Sequence, residues 1–269
     1  MGASIAQSAA ASDLHVILLD VSEAVLDQAV QRLGKGLSRL VKEQKLDRAA
    51  RDAALARVQT ATDYAALASA DVVIEAATEN ESLKLQILKR IDAAVRADAV
   101  VATSTSSISI TKLASSVSSP GRFVGLHFFN PIPAIKLVEV VRALQTTDDT
   151  HDRVIRLAEQ LDKSPISVKN TPGFVVNRIL LPMINEAFFV LAEGGADAGE
   201  IDEALKLGCN QPMGPLALAD LIGLDVLLSV MEVFHRDFAD SKYRPSPLLR
   251  EMVDAGYLGR KSGRGVYRY

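Results

Sequence analysis

Histidine is the side chain best suited to moving a proton near neutral pH, and His127 is the best placed of the four in this sequence. It ends the apolar run 123–126, so it lies where a predicted strand ends, the position at which α/β proteins build their sites. From position alone, core packing and proton transfer explain His127 equally well. The others, His15, His151 and His235, lie at a strand start or in polar helical segments, and we interpret them as structural.

Glu139 is a second candidate, because it interrupts the otherwise apolar predicted strand 137–141. Burying an unpaired carboxylate is unfavourable by several kcal/mol, so a buried Glu139 needs a charged or hydrogen-bonding partner. A base histidine is normally oriented by a carboxylate, and His127 is the partner that we predict. The alternative is an exposed residue on an edge strand of alternating polarity.

Gly2 and Asp20 have the spacing of a dinucleotide site. Asp20 follows the apolar run 15–19 and lies 18 residues after Gly2. If Gly2 is the last glycine of a G-x-G-x-x-G turn, this separation fits a carboxylate that binds the adenosine ribose of NAD. The same carboxylate would repel the additional phosphate of NADP. The alternative is that Asp20 only caps its strand or the helix that begins near Ser22.

Short apolar strands alternate with amphipathic helices before residue 170, which predicts βαβ units and a mainly parallel sheet. The predicted strands are 15–19, 71–75, 100–102, 123–128, 137–141 and 166–168, and the predicted helices are 1–10, 22–41, 47–58 and 81–95. Only helices are predicted later, at 175–193, 199–207, 223–238 and 247–255. The predicted class is therefore α/β, a Rossmann-like doubly wound sheet in residues 1–169 followed by an all-α domain in residues 170–269.

Composition excludes several other classes of protein. The 269 residues are 48% hydrophobic and 23% charged, which excludes wholesale disorder, and no apolar run is long enough to span a membrane. A net charge of −3 argues against nucleic acid as a partner. The single cysteine, Cys209, allows neither an internal disulfide nor a cysteine-based zinc site, and we expect a reducing, cytoplasmic location. No other residues have the spacing of metal ligands, so no metal is expected.

Long motifs in both halves of the chain resemble the L-3-hydroxyacyl-CoA dehydrogenase family. The resemblance covers essentially the whole chain and rests on GASIAQ (2–7), LLD (18–20), IEAATEN (74–80), GLHFFNP (125–131), PGFVVNR (172–178), GPLALAD (214–220) and GRKSGRG (259–265). It implies NAD as the cofactor, an acyl-CoA substrate and a homodimer formed through the helical domain. The implied reaction is oxidation of the 3-hydroxyl of a short acyl-CoA to the 3-oxoacyl-CoA.

The resemblance also assigns roles to individual residues. It implies that His127 is the catalytic base, that Glu139 orients it, and that Ser106 and Asn177 bind and position the substrate oxygen. A serine in a hydroxyl cluster before a helix more often caps that helix, and Asn177 could instead make a hydrogen bond between domains. The family motif around Ser106 usually begins with asparagine where this chain has Ser104, which changes a polar contact near the nicotinamide or the substrate.

Three further charged residues are implied to contact ligands. Glu79 and Lys84 resemble an acidic and basic pair on the cofactor side of the family's site, and the alternative is an ordinary surface ion pair. Lys42, near the end of a long predicted helix, is a candidate for the phosphates of coenzyme A. A solvated lysine is an equally good explanation of Lys42.

Only Met1-Gly2 remains of the Gly-x-Gly-x-Met-Gly turn that follows the first strand in this family. That strand normally lies between strands 2 and 4 of the doubly wound order, and its loss would leave them about 9.6 Å apart with unpaired inner edges. We therefore predict either that the natural chain begins earlier or that another segment fills the gap. A cofactor-impaired structural or binding protein is thus one alternative function, and a dehydrogenase of small free hydroxyacids within the same family is the other.

Overall fold

A computed structural model describes all residues from Met1 to Tyr269. The chain divides into two compact units, Met1–Asn170 and Thr171–Tyr269, one residue beyond the predicted boundary. No helix in either unit combines the length and the apolar character needed to cross a membrane.

The first unit alternates strands and helices, as the apolar runs predict. Its strands are β1 Val16–Leu19, β2 Val58–Ala61, β3 Val72–Glu75, β4 Val100–Thr103, β5 Phe123–Phe128, β6 Leu137–Arg142 and β7 Ser164–Lys169. Its helices are α1 Gly2–Ala11, α2 Glu23–Lys42, α3 Arg48–Ala56, α4 Glu81–Ala94, α5 Ile110–Ala114 and α6 Asp148–Gln160. The sequence patterns do not predict β2, α5 and α6, because β2 has no continuous apolar run, α5 is short and α6 begins with a polar turn.

The strands form two separate sheets. β1 pairs with β2 in parallel, and the other five strands are ordered β3-β4-β5-β6-β7. Three of the four pairings in the larger sheet are parallel and the β5–β6 pairing is antiparallel, so the mainly parallel α/β prediction is confirmed. β1 has no neighbour except β2, and β3 has none except β4. The predicted gap in the sheet, with its two unpaired inner edges, is therefore present.

Helix α1 joins the two sheets through its side chains. Ile5 packs in the core of the larger sheet, with residues of β4, β5 and β6. Ala6 and Ala10, on another face of α1, pack with Leu33 and Leu37 of α2. Two apolar clusters thus meet on one short helix, which holds the separate sheets within one unit.

The second unit is all helical, which confirms the predicted change of class. Its helices are α7 Val176–Ala192, α8 Ala198–Cys209, α9 Pro215–Ile222, α10 Leu224–Phe238 and α11 Pro247–Asp254. Phe188, Leu216, Leu227 and Phe234 form the centre of its core and are fully buried. The sequence does not predict α9, which is only eight residues long and begins with proline.

Two buried carboxylates fix the carboxyl-terminal segment to these helices. Asp202 accepts hydrogen bonds from the amides of Leu216 and Ala217 at the start of α9, and from the hydroxyl of Tyr267 at 2.7 Å. Asp220 accepts from the amides of Val266 and Tyr267. Burial and the neighbouring Asp202 carboxylate raise the pKa of Tyr267 above its ordinary value of 10.0.

We expect this tyrosine to make the protein sensitive to alkaline pH. Above about pH 10, Tyr267 ionises in the unfolded protein but stays protonated in the folded protein. The free energy of unfolding therefore falls as pH rises. Tyr267→Phe should lower stability at pH 8 by about 1–3 kcal/mol and reduce the further loss between pH 8 and 10.5. Urea unfolding at both pH values measures this, with Tyr257→Phe as the control. Equal pH dependence in Tyr267→Phe and the parent would contradict the prediction.

Candidate active site

His127 and Glu139 lie opposite one another on the antiparallel strands β5 and β6. Their Cα atoms are register partners, so the two side chains project from the same face of the sheet. The Nδ1 atom of His127 is 2.6 Å from Oε2 of Glu139. His127 is 4% exposed and Glu139 is fully buried, so the carboxylate has the hydrogen-bonding partner that the sequence predicts for it.

Ser106 completes a chain of three side chains. It lies in the loop after β4, and its Oγ is 3.0 Å from Nε2 of His127. Because a carboxylate only accepts hydrogen bonds, the contact with Glu139 is made by a protonated Nδ1. When the ring carries only that proton, Nε2 is an acceptor, and it faces the serine hydroxyl. Ser106 does not cap the following helix α5. Ser109 does, since its Oγ accepts a hydrogen bond from the amide of Lys112.

Glu79 holds the loop that carries Ser106. One carboxylate oxygen, Oε1, accepts from the hydroxyl of Thr105 at 2.7 Å, the amide of Ser106 at 3.1 Å and the hydroxyl of Ser107 at 2.9 Å. Three bonds from consecutive residues fix the backbone at Ser106 more firmly than one would. The sequence indicates Glu79 as a ligand contact, but it carries no signal for this second role because the loop is 27 residues away.

Lys84 does not pair with Glu79 in this structure, and its predicted contact with the cofactor stays a prediction. Its side chain is fully buried, with Nζ 2.5 Å from Oε2 of Glu75 and within hydrogen-bond distance of Thr103 Oγ1 and the carbonyl of Ser104. Because the Lys84 side chain is buried, the alternative of a surface ion pair between Glu79 and Lys84 is excluded. In this structure Lys84 joins the carboxyl ends of β3 and β4 from inside the unit.

Ser104, the position where the family usually has asparagine, is held through its backbone. Its amide donates to the carbonyl of Glu75 at 2.7 Å, and its own carbonyl accepts from Lys84 at 3.2 Å. The side chain is only partly buried and is not one of the groups that bind Lys84. Ser104 therefore leaves a hydroxyl near the Ser106 loop without disturbing the buried network.

The two predicted dinucleotide contacts, Gly2 and Asp20, line the same cavity of about 1050 Å³. Gly2 begins α1, and nothing lies within 4 Å of the position that a Cβ would take there. Asp20 follows the end of β1, where its Oδ1 accepts from the amide of Ser22 at 3.1 Å. A helix amino terminus free of side chains suits a pyrophosphate, and a carboxylate at a strand end suits a ribose, so these residues fit a dinucleotide.

The remaining two predicted site residues, Asn177 and Lys42, lie on helices of different units. Asn177 is the second residue of α7, in the second unit, and it is partly buried. Lys42 is the last residue of α2 in the first unit, and it is exposed and makes no ion pair. The neighbouring Lys45, in contrast, is paired with Glu43 at 2.9 Å. Lys42 is thus a cation available to a phosphate.

Phe129 is a residue of the candidate site that no sequence motif assigns to it. Its ring lies 4.5 Å from the ring of His127, at an interplanar angle of 56°. It thereby covers one side of the imidazole with an apolar surface. The only signal for it in the sequence is its position two residues after His127, which does not distinguish it from the fully packed Phe128.

We expect Glu139→Gln to lower kcat by about 10²-fold, because glutamine keeps the size of the side chain but cannot stabilise a positively charged imidazole. Steady-state rates measure the effect, and thermal unfolding checks that the buried substitution is tolerated. Glu81→Gln is the control, since that carboxylate lies on the surface, paired with Lys112 at 2.7 Å. A change in kcat for Glu139→Gln as small as that for the control would show that Glu139 has no part in the reaction.

A doubly wound α/β unit with a histidine–carboxylate pair at a strand end, followed by an all-α unit, is an architecture suited to a nucleotide-dependent dehydrogenase. Residues 1–171 match the family model for the NAD-binding domain of 3-hydroxyacyl-CoA dehydrogenase, and residues 173–269 match the model for its C-terminal domain. The chain therefore belongs to the 3-hydroxyacyl-CoA dehydrogenase family. The resemblance inferred from the sequence motifs, the fold class, NAD as the cofactor and the identification of an enzyme are confirmed.

Proteins similar to this chain match it over its whole length. The probable 3-hydroxybutyryl-CoA dehydrogenase of Deinococcus radiodurans is 47% identical, with 100% of this chain and 96% of that protein covered. The 3-hydroxybutyryl-CoA dehydrogenase of Clostridioides difficile is 45% identical with the same coverage. The crystal structure of (S)-3-hydroxybutyryl-CoA dehydrogenase from Ralstonia eutropha is 58% identical, with a TM-score of 0.99 over 100% of this chain and 95% of that one.

Proposed function

We propose that this protein catalyses the NAD-dependent oxidation of a short (S)-3-hydroxyacyl-CoA, such as 3-hydroxybutyryl-CoA, to the 3-oxoacyl-CoA, and the reverse reaction. The observation that carries the proposal is the unbroken chain from Ser106 Oγ through His127 to Glu139, with distances of 3.0 Å and 2.6 Å. Oxidising a secondary alcohol requires a base for the hydroxyl proton, and the imidazole of His127 provides one.

His127 accepts the proton of the substrate 3-hydroxyl at Nε2. Glu139 keeps the proton on Nδ1, which leaves the Nε2 lone pair for the substrate, and it stabilises the positive charge that develops on the ring. Ser106 donates a hydrogen bond to the substrate oxygen and holds it beside Nε2. The hydride leaves the carbon that carries this hydroxyl, and NAD, when bound, would supply the acceptor for it.

Other residues take supporting roles in this proposal. Glu79 positions the Ser106 loop, and Phe129 limits the access of water to one side of His127. Gly2 at the start of α1 and Asp20 at the end of β1 hold the dinucleotide. Asn177, the second residue of α7, is proposed to bind the substrate.

A comparison of two substrates tests the substrate class. If the coenzyme A portion is recognised, kcat/KM for 3-hydroxybutyryl-CoA should exceed that for free 3-hydroxybutyrate by about tenfold or more, since remote binding energy assists the reaction. Lys42→Ala should then raise KM for the thioester and not for the free acid, with Lys35→Ala as the control on the same helix. Equal use of both substrates would favour the alternative, a dehydrogenase of free hydroxyacids.

Titration with NADH tests the other alternative, a structural or binding homologue with an impaired cofactor site. The fluorescence of NADH should change saturably when the protein is added. If it does not, this chain by itself lacks a working cofactor site, and the reaction cannot be assigned to it. Asp20→Ala is a useful comparison, because it removes the proposed ribose contact and leaves His127 and Glu139 in place.

A homodimer formed through the second unit is part of the proposal. Ile179, Leu207 and Leu221 of this unit are 67%, 78% and 51% exposed, more apolar surface than a solvated helical unit needs. Sedimentation equilibrium should give twice the mass of 28.8 kDa. We also propose a cytoplasmic location, on the basis of the single cysteine and the bacterial relatives.

A further inference from the structure

The loop that joins β5 to β6, residues 129–136, connects the strand that carries His127 to the strand that carries Glu139. Its first residue is Phe129, whose ring contacts the imidazole of His127. With eight residues, the loop is longer than the connections of about two to five residues that usually join antiparallel strands. Strand pairing alone therefore does not fix the course of the loop, although that course determines where Phe129 lies.

One turn inside the loop is built from backbone hydrogen bonds. The carbonyl of Pro131 accepts from the amides of Ala134 and Ile135 at 3.0 and 3.1 Å. The side chain of Ile132 is 1% exposed and packs in the core of the larger sheet, which draws the loop backbone inward. Carbonyl groups of an inward-facing turn need donors, because a buried carbonyl without a hydrogen bond is unfavourable.

Lys163 supplies such donors from the residue just before β7. Its Nζ donates to the carbonyl of Ile132 and, at 3.0 Å, to the carbonyl of Ile135. Because β7 pairs in parallel with β6, and the amide of Ser164 donates to the carbonyl of Lys136 at 2.8 Å, Lys163 lies beside the end of the loop. A single ammonium group thus binds two carbonyls of one turn.

The surroundings of Lys163 are unusual for a lysine. The residue is 8% exposed and forms no ion pair, and the carboxylate of the adjacent Asp162 binds Lys136 at 2.9 Å. Burial lowers the pKa of Lys163 below its ordinary value, and the nearby Asp162 offsets this effect only in part. A methionine would fill the same space without the cost of burying a charge, but it would leave both carbonyls without this donor.

We propose that Lys163 is a positioning residue of the active site, which holds the 129–136 loop so that Phe129 stays against the imidazole of His127. The two ring centroids are 4.5 Å apart, the near limit for packed aromatic rings, so the rings are in contact. This contact restricts the orientation of the imidazole and excludes water from one of its faces. The inference rests on the proposed role of His127 as the base.

A lysine that only stabilises the fold would behave differently. Loss of two hydrogen bonds lowers the stability of the protein, whichever segments they join. Loss of a positioning contact also slows the reaction in molecules that stay folded, because a displacement of about 1 Å can reduce the rate by about 10²-fold. The rate and the accessibility of His127 in the folded protein therefore distinguish the two roles.

The test compares Lys163→Met with Lys136→Met, the matched control. Lys136 lies beside Lys163, but its side chain is 66% exposed and its ion pair with Asp162 is on the surface. We expect Lys163→Met to lower kcat by about tenfold, with KM within about twofold of the parent. The control should keep both values within about twofold of the parent.

A chemical probe follows the imidazole without reference to catalysis. Diethyl pyrocarbonate acylates histidine nitrogens, and mass spectrometry of the peptides gives the rate at each histidine. In Lys163→Met, His127 should react about three times faster or more than in the parent, because Phe129 no longer covers it. The exposed His235 is the reference within each sample and should react at the same rate in every variant.

Phe129→Leu tests the same contact from the other side. It should also raise the reactivity of His127, and adding Lys163→Met to it should give little further increase, because both substitutions act through one contact. Fully additive effects would overturn the proposal. If Lys163→Met does not fold, Lys163→Gln takes its place, since its neutral amide is shorter but keeps a donor, and it should change both measurements in the same direction.

The outcomes separate this proposal from the proposed function. Lower kcat together with faster modification of His127 supports it. A folded Lys163→Met protein with a lower Tm, but with the kcat and His127 reactivity of the control, overturns it, and so does either change without the other in an active enzyme. If the parent shows no dehydrogenase activity while His127 still responds to Lys163→Met, the proposed function fails and the positioning of Phe129 by Lys163 stands.

Discussion

His127→Gln is expected to lower kcat by about 10²- to 10⁴-fold, because it removes the only group placed to accept the proton of the substrate hydroxyl. Glutamine can still accept a hydrogen bond from Ser106, but it cannot take up a proton near neutral pH. KM for the thioester and binding of NADH should change little, since neither depends on proton transfer. The effect should therefore fall on kcat, which steady-state kinetics with saturating NAD separates from KM.

The control for this substitution is His151→Gln. His151 lies on α6 with Nε2 2.7 Å from Ser167 Oγ, a surface contact between a helix and a strand. His151 is partly buried, and its ring nitrogens face Ser167 and Asp152, which lie outside the candidate site, so its replacement should leave kcat within about twofold of the parent. An active His127→Gln protein, retaining a tenth or more of the parent kcat (about 1.4 kcal/mol of the barrier), would rule out the proposed base.

Lys84→Met should destabilise the protein by about 3–5 kcal/mol, the largest stability effect that we expect. The substitution leaves the Glu75 carboxylate in the interior without its cation, and breaking a buried ion pair in this way is far worse than removing both charges. Methionine has nearly the length of lysine, so lost volume is a minor factor. Urea unfolding gives the free energy directly.

Two comparisons identify the cause of that loss. Lys112→Met breaks a surface ion pair, with side chains 58% and 41% exposed, and should cost less than about 1 kcal/mol. In the double variant Glu75→Gln with Lys84→Met, the amide oxygen can accept from the backbone of Ala77 while the amide nitrogen donates to the Thr103 hydroxyl, so part of the stability should return. If Lys84→Met were no worse than Lys112→Met, the buried pair would not be important for stability.

Most of the site could be located from the sequence because its residues lie at strand ends or interrupt apolar runs. Glu139 is conspicuous in its strand, and its 12-residue separation from His127 fits two adjacent antiparallel strands joined by a loop. The contact between them also requires the β5–β6 register, which places His127 opposite Glu139. The predictions for Ser106 and for the proposed dinucleotide contacts Gly2 and Asp20 depended on the family motifs as well.

Lys84 shows where this reasoning fails. At sequence level it lies five residues after Glu79 and nine after Glu75, and the separation of near one helix turn leaves a surface ion pair with Glu79 as the alternative to a cofactor contact. Glu79, however, precedes α4 and turns toward the Ser106 loop, while Lys84 points inward to the end of β3. Packing between elements decides which carboxylate a lysine contacts. The spacing of residues along the chain does not determine it.

The sequence by itself determined most of the strands and helices, the change to an all-α second unit and the family, because periodic apolar patterns and long motifs are local properties. Only the tertiary structure decided that Nε2 of His127 faces Ser106, that Lys84 is buried against Glu75 and that β1 and β3 are left with open edges. Those features join residues from different elements, and their geometry is fixed by how the sheets and helices pack against one another.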